Sequence, residues 1–409
     1  MSISLAVSCL IFLLIALRQW LPDKIRIWHI MSAGAVVLLA FGEITPQAAL
    51  AAIDWNVIAY LFGVFLIAAA LYDNGISHAI GERIVGAGRP RLAILIFVLA
   101  TALTSAVLTN DAAAVIGTPI ALMLARALDR PAVPILIALC AAVTLGSMAS
   151  PVGNPQNILI ASHAGFTDPV GTFALWLGPP TLIALALAYP WLARLVMNGR
   201  PSGTIQPELP LPHSEPRAWP AWVGMGLLVV LVVGGSLHPG LHVPFGVASL
   251  VAAAPVALFS SRRLRTLREV DWPTLIFFVA MFVVTGSLHD SGALQQLLGP
   301  LVERLGEPAV TAAIAFVASQ LFSNVPVVDL YLRLTSGAST ETLMMLAGIS
   351  TLAGNLFIIS AASNVIVVQQ AERYGQRPFT FWQFTALMLP VTVMSPLVTW
   401  LWVTALGGG

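Results

Sequence analysis

Leu108-Thr109-Asn110-Asp111 interrupts the apolar run 92–128, and Ser150-Pro151-Val152-Gly153-Asn154-Pro155-Gln156-Asn157 interrupts the run 132–165. The reading of these two stretches decides the fold. Backbone that leaves the helix at membrane depth carries N–H and C=O groups that lipid cannot satisfy, so such a break belongs inside protein or beside a water-filled cavity. The pair recurs later in the chain, as Phe322-Ser323-Asn324-Val325-Pro326 within 310–335 and as Ile359-Ser360-Ala361-Ala362-Ser363-Asn364 within 342–371. A single break can be a packed proline or glycine kink. Four breaks at matched positions predict a site.

The solvent around these runs follows from composition. Of 409 residues, 58% are hydrophobic and 9% charged, too few polar side chains to cover a water-soluble globule. The formal net charge of +1 favours neither nucleic acid nor an acidic partner. Cys9 and Cys140 lie far apart in apolar stretches, which predicts buried packing and neither a disulfide nor a zinc site. The apolar residues 3–17 have no basic residue before them and Arg18 after them, which predicts a retained first helix over a secretory signal.

Runs long enough to cross about 30 Å of hydrocarbon fall at 3–18, 28–42, 53–71, 132–165 and 172–197, then at 219–237, 243–260, 272–288, 342–371 and 380–406. The runs 92–128 and 310–335 are read as re-entrant hairpins, because positive charge then sorts to one side, as it does in cytoplasmic loops. That side receives Arg18, Lys24, Arg26, Arg83, Arg89, Arg91, Arg126, Arg130, Arg194, Arg200, Arg217, Arg262, Arg263, Arg265, Arg268, Arg373 and Arg377; the other receives Arg304 and Arg333. Ten crossings and two hairpins leave both termini outside the cytoplasm.

Asp54-Trp55 and Asp271-Trp272 open spans 217 residues apart, and at that offset Phe65 matches Phe282, Leu71 matches Leu288, Asp73 matches Asp290 and Gly75 matches Gly292. Thr109-Asn110 then aligns with Ser323-Asn324, and Asn157 with Asn364. Five crossings precede the second copy, so it enters the membrane from the opposite face. The expected fold is an all-α polytopic membrane protein of two inverted repeats, residues 1–197 and 219–409, joined by a Pro-rich cytoplasmic linker at 198–218. Inverted repeats with interrupted helices are a recurring transporter build, with the site near the midplane.

Asn154 before Pro155 reads as a cap and a first-turn proline, from which a half-helix restarts with its amides facing the break. Such N-termini attract negative or polar oxygen groups. The candidate substrate-binding residues are Thr109, Asn110, Gly153, Asn154, Gln156, Asn157, Ser323, Asn324, Ser360, Ser363 and Asn364. Two carboxylates lie well inside apolar stretches, Asp111 and Asp329, where an acid is a functional hypothesis by default. Asp111 has no basic residue within a turn and is the candidate coupling group. Asp329 has Arg333 four residues on, so coupling competes with a plain intrahelical ion pair. Asp54, Asp271, Asp73 and Asp290 lie at span ends, where solvated or capping roles are expected. Hydrolytic chemistry finds little support: there is no HExxH, no clustered metal-ligand set, and His163 stands alone. No cofactor is called for. A channel would need a continuous pore, where two hairpins meeting at the midplane suggest a site open to one side at a time.

At Thr109-Asn110-Asp111 followed by Gly117-Thr118-Pro119, at Gly153-Asn154-Pro155-Gln156-Asn157, and at Ser363-Asn364-Val365 leading to Glu372-Arg373-Tyr374-Gly375, the chain resembles the ion transporter superfamily of arsenical pumps, anion permeases and some sodium/proton antiporters. The resemblance covers nearly the whole chain. It implies a scaffold, a moving transport domain made of hairpins and broken spans, and proton-coupled extrusion of arsenite or antimonite through a bacterial inner membrane. Ser-Asn-Thr signatures are absent from both broken spans and no Arg lies at a break, which argues against dicarboxylate uptake. Arsenous acid is neutral and hydroxyl-rich at pH 7, so Asn, Ser, Thr and backbone amides can hold it without a countercharge. Sodium/proton exchange is the alternative, with oxygen ligands from Asp111, Asn110, Asn324 and Asn364. Nothing in the sequence shows a soluble ATPase partner.

Overall fold

The computed structural model describes residues 3–16, 25–199, 218–238, 243–335, 337–376 and 378–408. Arg18, Lys24, Arg200, Arg217, Arg377 and nearly all of the expected linker lie outside them. The first half runs α1 (Ile3–Ala16), α2 (Ile27–Ala40), α3 (Pro46–Ala52), α4 (Trp55–Asp73), α5 (Ile76–Val85), α6 (Pro90–Val107), α7 (Asn110–Ala127), α8 (Ala132–Met148), α9 (Pro155–His163) and α10 (Pro169–Asn198). The second runs α11 (Trp219–Leu237), α12 (Phe245–Phe259), α13 (Arg263–Glu269), α14 (Trp272–Asp290), α15 (Ala293–Leu298), α16 (Pro308–Phe322), α17 (Asn324–Leu334), α18 (Thr340–Ala353), α19 (Ala362–Arg373) and α20 (Phe381–Gly407). Among the described residues the fold is all-helical. Six of the described helices, α4, α6, α10, α11, α14 and α20, are long and apolar enough to cross a membrane. One of them, α6, is an arm of the first expected hairpin; α7 turns back from it after Leu108 and Thr109.

Matched sequence positions build matched local structure. Asp54 caps α4 by accepting from the Val57 amide at 3.0 Å, and Asp271 caps α14 by accepting from the Thr274 amide at 3.2 Å. Each cap satisfies one of the amides that a helix start leaves unpaired. The adjacent Trp55 indole donates to the Leu50 carbonyl and the Trp272 indole to the Leu267 carbonyl, tying each long helix to the short one before it. At the far ends, Gly75 (φ 70°) and Gly292 (φ 65°) turn the chain through left-handed backbone into α5 and α15. Packing follows the same correspondence: α4 lies on α12 as α14 lies on α2, and α6 on α8 as α16 on α18. The midchain core is α8 and α18, which touch each other; α18 is buried at every position from Thr342 to Ala353.

Close approach of α6 and α8 depends on Gly146, where an added Cβ would stand 2.2 Å from the Ala102 carbonyl oxygen. Backbone cannot retreat there without separating the hairpin arm from the core. Gly146→Ala should therefore destabilise the protein by about 1–3 kcal/mol, the usual cost of overpacking, measured as a lower thermal unfolding midpoint in detergent; an unchanged midpoint would show that α6 can shift freely.

Three expectations need correction. The second-half break lies at residues 354–361, not 359–364, because the helix restarts at Ala362; Ser363 and Asn364 are thus in the first turn of α19. Asp73 is buried and lies 3.9 Å from the Arg265 guanidinium, because α13 folds back over the end of α4; it is not a solvated span end. Cys9 is exposed on α1, while Cys140 is buried as expected.

Candidate functional site

All four breaks resolve into the starts of helices, α7, α9, α17 and α19. Thr109 caps α7 by accepting from the Ala112 amide, and Asn154 caps α9 by accepting from the Asn157 amide at 2.8 Å. The two starts are joined: the Asn110 amide donates to the Gly153 carbonyl at 2.7 Å. Only glycine fits at 153, since a Cβ would meet the Ser147 carbonyl oxygen at 2.2 Å. Asn157 donates its side-chain amide back to the carbonyls of Ser147 and Ser150 at the end of α8, and Asn364 does the same for Gly354 at the end of α18. These matched asparagines hold each broken span together across its gap, satisfying C-terminal carbonyls that lipid would leave unpaired.

The halves meet at Thr351 of α18, a residue the sequence reading missed. Its hydroxyl accepts from Asn154 Nδ2 at 3.1 Å and from Gln156 Nε2 at 3.3 Å. Beyond it, Asn324 at the start of α17 lies against Gly354, whose Cβ position is 3.2 Å from Asn324 Nδ2. Ser360 donates to Gln320 Oε1 at 2.7 Å, and Gln320 donates to the Ala353 carbonyl at 2.9 Å, bracing break and hairpin together. Gln320 was legible only as a polar residue in an otherwise apolar run. Ser323 carries the turn between α16 and α17 at φ 68°, ψ 158°, a region that costs a residue with a Cβ about 1–3 kcal/mol and concentrates at functional sites.

The two acids have different surroundings. Asp111, in the first turn of α7, is buried, and its Oδ1 has no hydrogen-bond partner. Asp329 accepts from Arg333 Nε at 2.9 Å and from Thr285 Oγ1 at 2.5 Å, while Arg333 also donates to the Ala52 carbonyl at 3.0 Å. That set clamps α17 to α14 and α3. Among the described residues, buried oxygens of Asn157, Asn324, Asn364 and Ser363 are also without partners, and neither polar atom of buried Asn355 has one. His163 is spent locally, with Nδ1 2.9 Å from the Leu159 carbonyl.

A cavity of 620 Å³ reaches this region. Ala362, Val365, Ile366, Gln369, Gln370 and Arg373 line it, one continuous face of α19 about 16 Å long at 1.5 Å per residue. Ser323 is the only sequence-predicted site residue in the wall; the rest are buried and do not line it. Val115, one turn beyond Asp111 on the same face of α7, is also in the wall, so the free carboxylate stands one helical turn from the cavity. The wall also holds Arg26, Arg268 and Arg373, none of them ion-paired among the described residues. Both acids of the wall are engaged elsewhere, Glu269 with Arg265 at 2.8 Å and Asp271 in its helix cap. The three arginines come from helix ends separated by some 350 residues of sequence, so no local motif marks them as neighbours. Tyr72 and Tyr374 are in the wall as well, joined hydroxyl to hydroxyl.

The chain is 30% identical over 381 residues to an uncharacterized transporter of Mycobacterium tuberculosis, covering 86% of this chain and 87% of that one. It is 29% identical to the inner membrane protein YbiR of Escherichia coli (91% and 94% covered). It is 25% identical to the silicon efflux transporter LSI3 of rice, Oryza sativa subsp. japonica (88% and 89%). Its fold matches the YdaH transporter of Alcanivorax borkumensis with a TM-score of 0.56 at 15% identity, over 98% of both chains. Apolar helices of spanning length and transporter relatives along nearly the whole chain make this an integral membrane transporter. The model of the CitMHS family, described as citrate transporter, matches residues 10–341, well over half of the chain, and the protein belongs to that family.

Proposed function

We propose that the protein is a proton-coupled secondary transporter that exports a small hydroxyl-rich oxyacid of the arsenite or antimonite type. In this reading it works by alternating access in a bacterial inner membrane, with inverted repeats and both termini outside the cytoplasm. The observation that carries it is Asp111, a buried carboxylate with one oxygen unpartnered, one turn from the wall of a 620 Å³ cavity. A buried acid without a cation beside it is costly when charged, so its protonation responds to which side the cavity faces. The helix start that carries it is joined to that of α9 through the Asn110 amide and the Gly153 carbonyl, and the two starts bring Thr109, Asn110, Asn154 and Gln156, residue types that suit a neutral polyhydroxy acid. The silicon efflux named for the rice relative supports the direction. Proton release from Asp111 toward the cytoplasm accompanies substrate capture, and reprotonation from outside accompanies release. Asp329, held by Arg333 and Thr285, serves as a strut in this scheme.

A second reading rests on the unpartnered oxygens of Asn157, Asn324 and Asn364. Neutral amide oxygens are hard ligands, and with Asp111 they would suit sodium in a sodium/proton exchanger. The deciding test is accumulation by inverted vesicles under an imposed proton gradient, offering arsenite, citrate and sodium separately. Gradient-driven arsenite uptake supports the proposal. Sodium uptake alone moves the assignment to exchange, and citrate uptake alone makes Arg26, Arg268 and Arg373 the substrate's partners.

A further inference from the structure

A second cavity, of 770 Å³, opens between the start of α6 and the last third of α10. Arg91 and Arg194 line it with Tyr189, Trp191, Leu187 and Asn198. Neither guanidinium is ion-paired among the described residues. The two walls are fastened to each other, since the Tyr189 hydroxyl donates to the Arg91 carbonyl at 2.8 Å. The start of α6 adds the positive end of its dipole to the two arginines. From this end an apolar surface continues along both helices: Leu92, Ile96, Leu99 and Leu103 are exposed at helical spacing on α6, and Leu187 and Ile183 are exposed one turn apart on α10.

Positive charge at one end and exposed hydrocarbon at the other match one kind of molecule. We propose that this cavity is a binding site for an anionic phospholipid, its phosphate between Arg91 and Arg194 and an acyl chain in the groove between α6 and α10. Free phosphate would satisfy the arginines and leave the groove unused; a zwitterionic lipid would fill the groove and bring its own cation to the arginines. Basic pockets between membrane helices recognise anionic headgroups by this combination. Trp191 and Tyr189 have the amphipathic rings that settle at headgroup depth, and Trp191 is oriented by donating to the Leu387 carbonyl at 3.0 Å. Because α6 is the arm that leads into Thr109-Asn110-Asp111, lipid held here would bear on the hairpin that carries the free carboxylate. The site stands apart from the proposed substrate, since its occupancy is read without transport.

Native mass spectrometry of the purified full-length protein tests the proposal, using phosphatidylglycerol and phosphatidylcholine of identical acyl chains. The wild type should retain phosphatidylglycerol preferentially, and R91Q/R194Q should lose about thirty-fold in affinity for it, as expected for two arginines near an anionic surface. R91K/R194K should keep most of the preference. Equal retention of the two lipids by the wild type would overturn the proposal and needs no variant to be informative. So would phosphatidylglycerol retention unchanged in R91Q/R194Q, or displacement by millimolar inorganic phosphate, which would assign the pocket to a free anion.

Discussion

Asp111→Asn is expected to abolish accumulation of the transported solute against its gradient while sparing the fold. Asn has the size of Asp and can accept hydrogen bonds, but it cannot carry a proton across a cycle. The acid's present environment gives it no structural duty that Asn would fail: its Oδ1 is buried and unpartnered, and among the described residues no arginine pairs with it as Arg333 pairs with Asp329. In inverted vesicles the variant should fall to the level of vesicles without protein when a proton gradient is the driving force. Exchange of labelled for unlabelled solute at equal concentration, which needs no net proton movement, should survive and lose its pH dependence. Wild-type accumulation by the variant would remove Asp111 from coupling. Loss of exchange together with accumulation would make it a substrate ligand.

Arg333→Ala is expected to cost about 3–5 kcal/mol of stability, the typical penalty for leaving one member of a buried pair behind. Asp329 is buried to 2% exposure and would keep, among the described residues, the Thr285 hydroxyl alone. The Ala52 carbonyl would also lose its donor, loosening α17 from α3. Thermal unfolding in detergent should show the loss, and Asp329→Asn added to Arg333→Ala should recover a large part of it, because the remaining group is neutral and still accepts from Thr285. Asp329→Asn alone separates the two roles open to this acid. A strut predicts transport retained with altered stability; a coupling group predicts gradient-driven transport lost with the fold intact.

The sequence by itself determined the elements that depend on short-range chemistry. Helix positions follow from runs of apolar residues, the caps at Asp54 and Asp271 from an acid one residue before a helix, and the half-helix at Pro155 from Asn154 and proline's tolerance for a first turn. The Asp329–Arg333 pair is equally local, being four residues apart on one helix. The second-half break was misplaced because Ala361, Ala362 and Ser363 carry no breaker stronger than their size, and the start of α19 is set by Asn364 reaching back to Gly354. What only the tertiary structure decided is which distant groups share a space. Thr351 between the two broken spans, Arg265 over Asp73, and Arg26, Arg268 and Arg373 around one cavity are each brought together by helix packing. Sequence patterns report the period along a helix and the partner one turn away. They carry no term for the face of another helix that arrives from two hundred residues off.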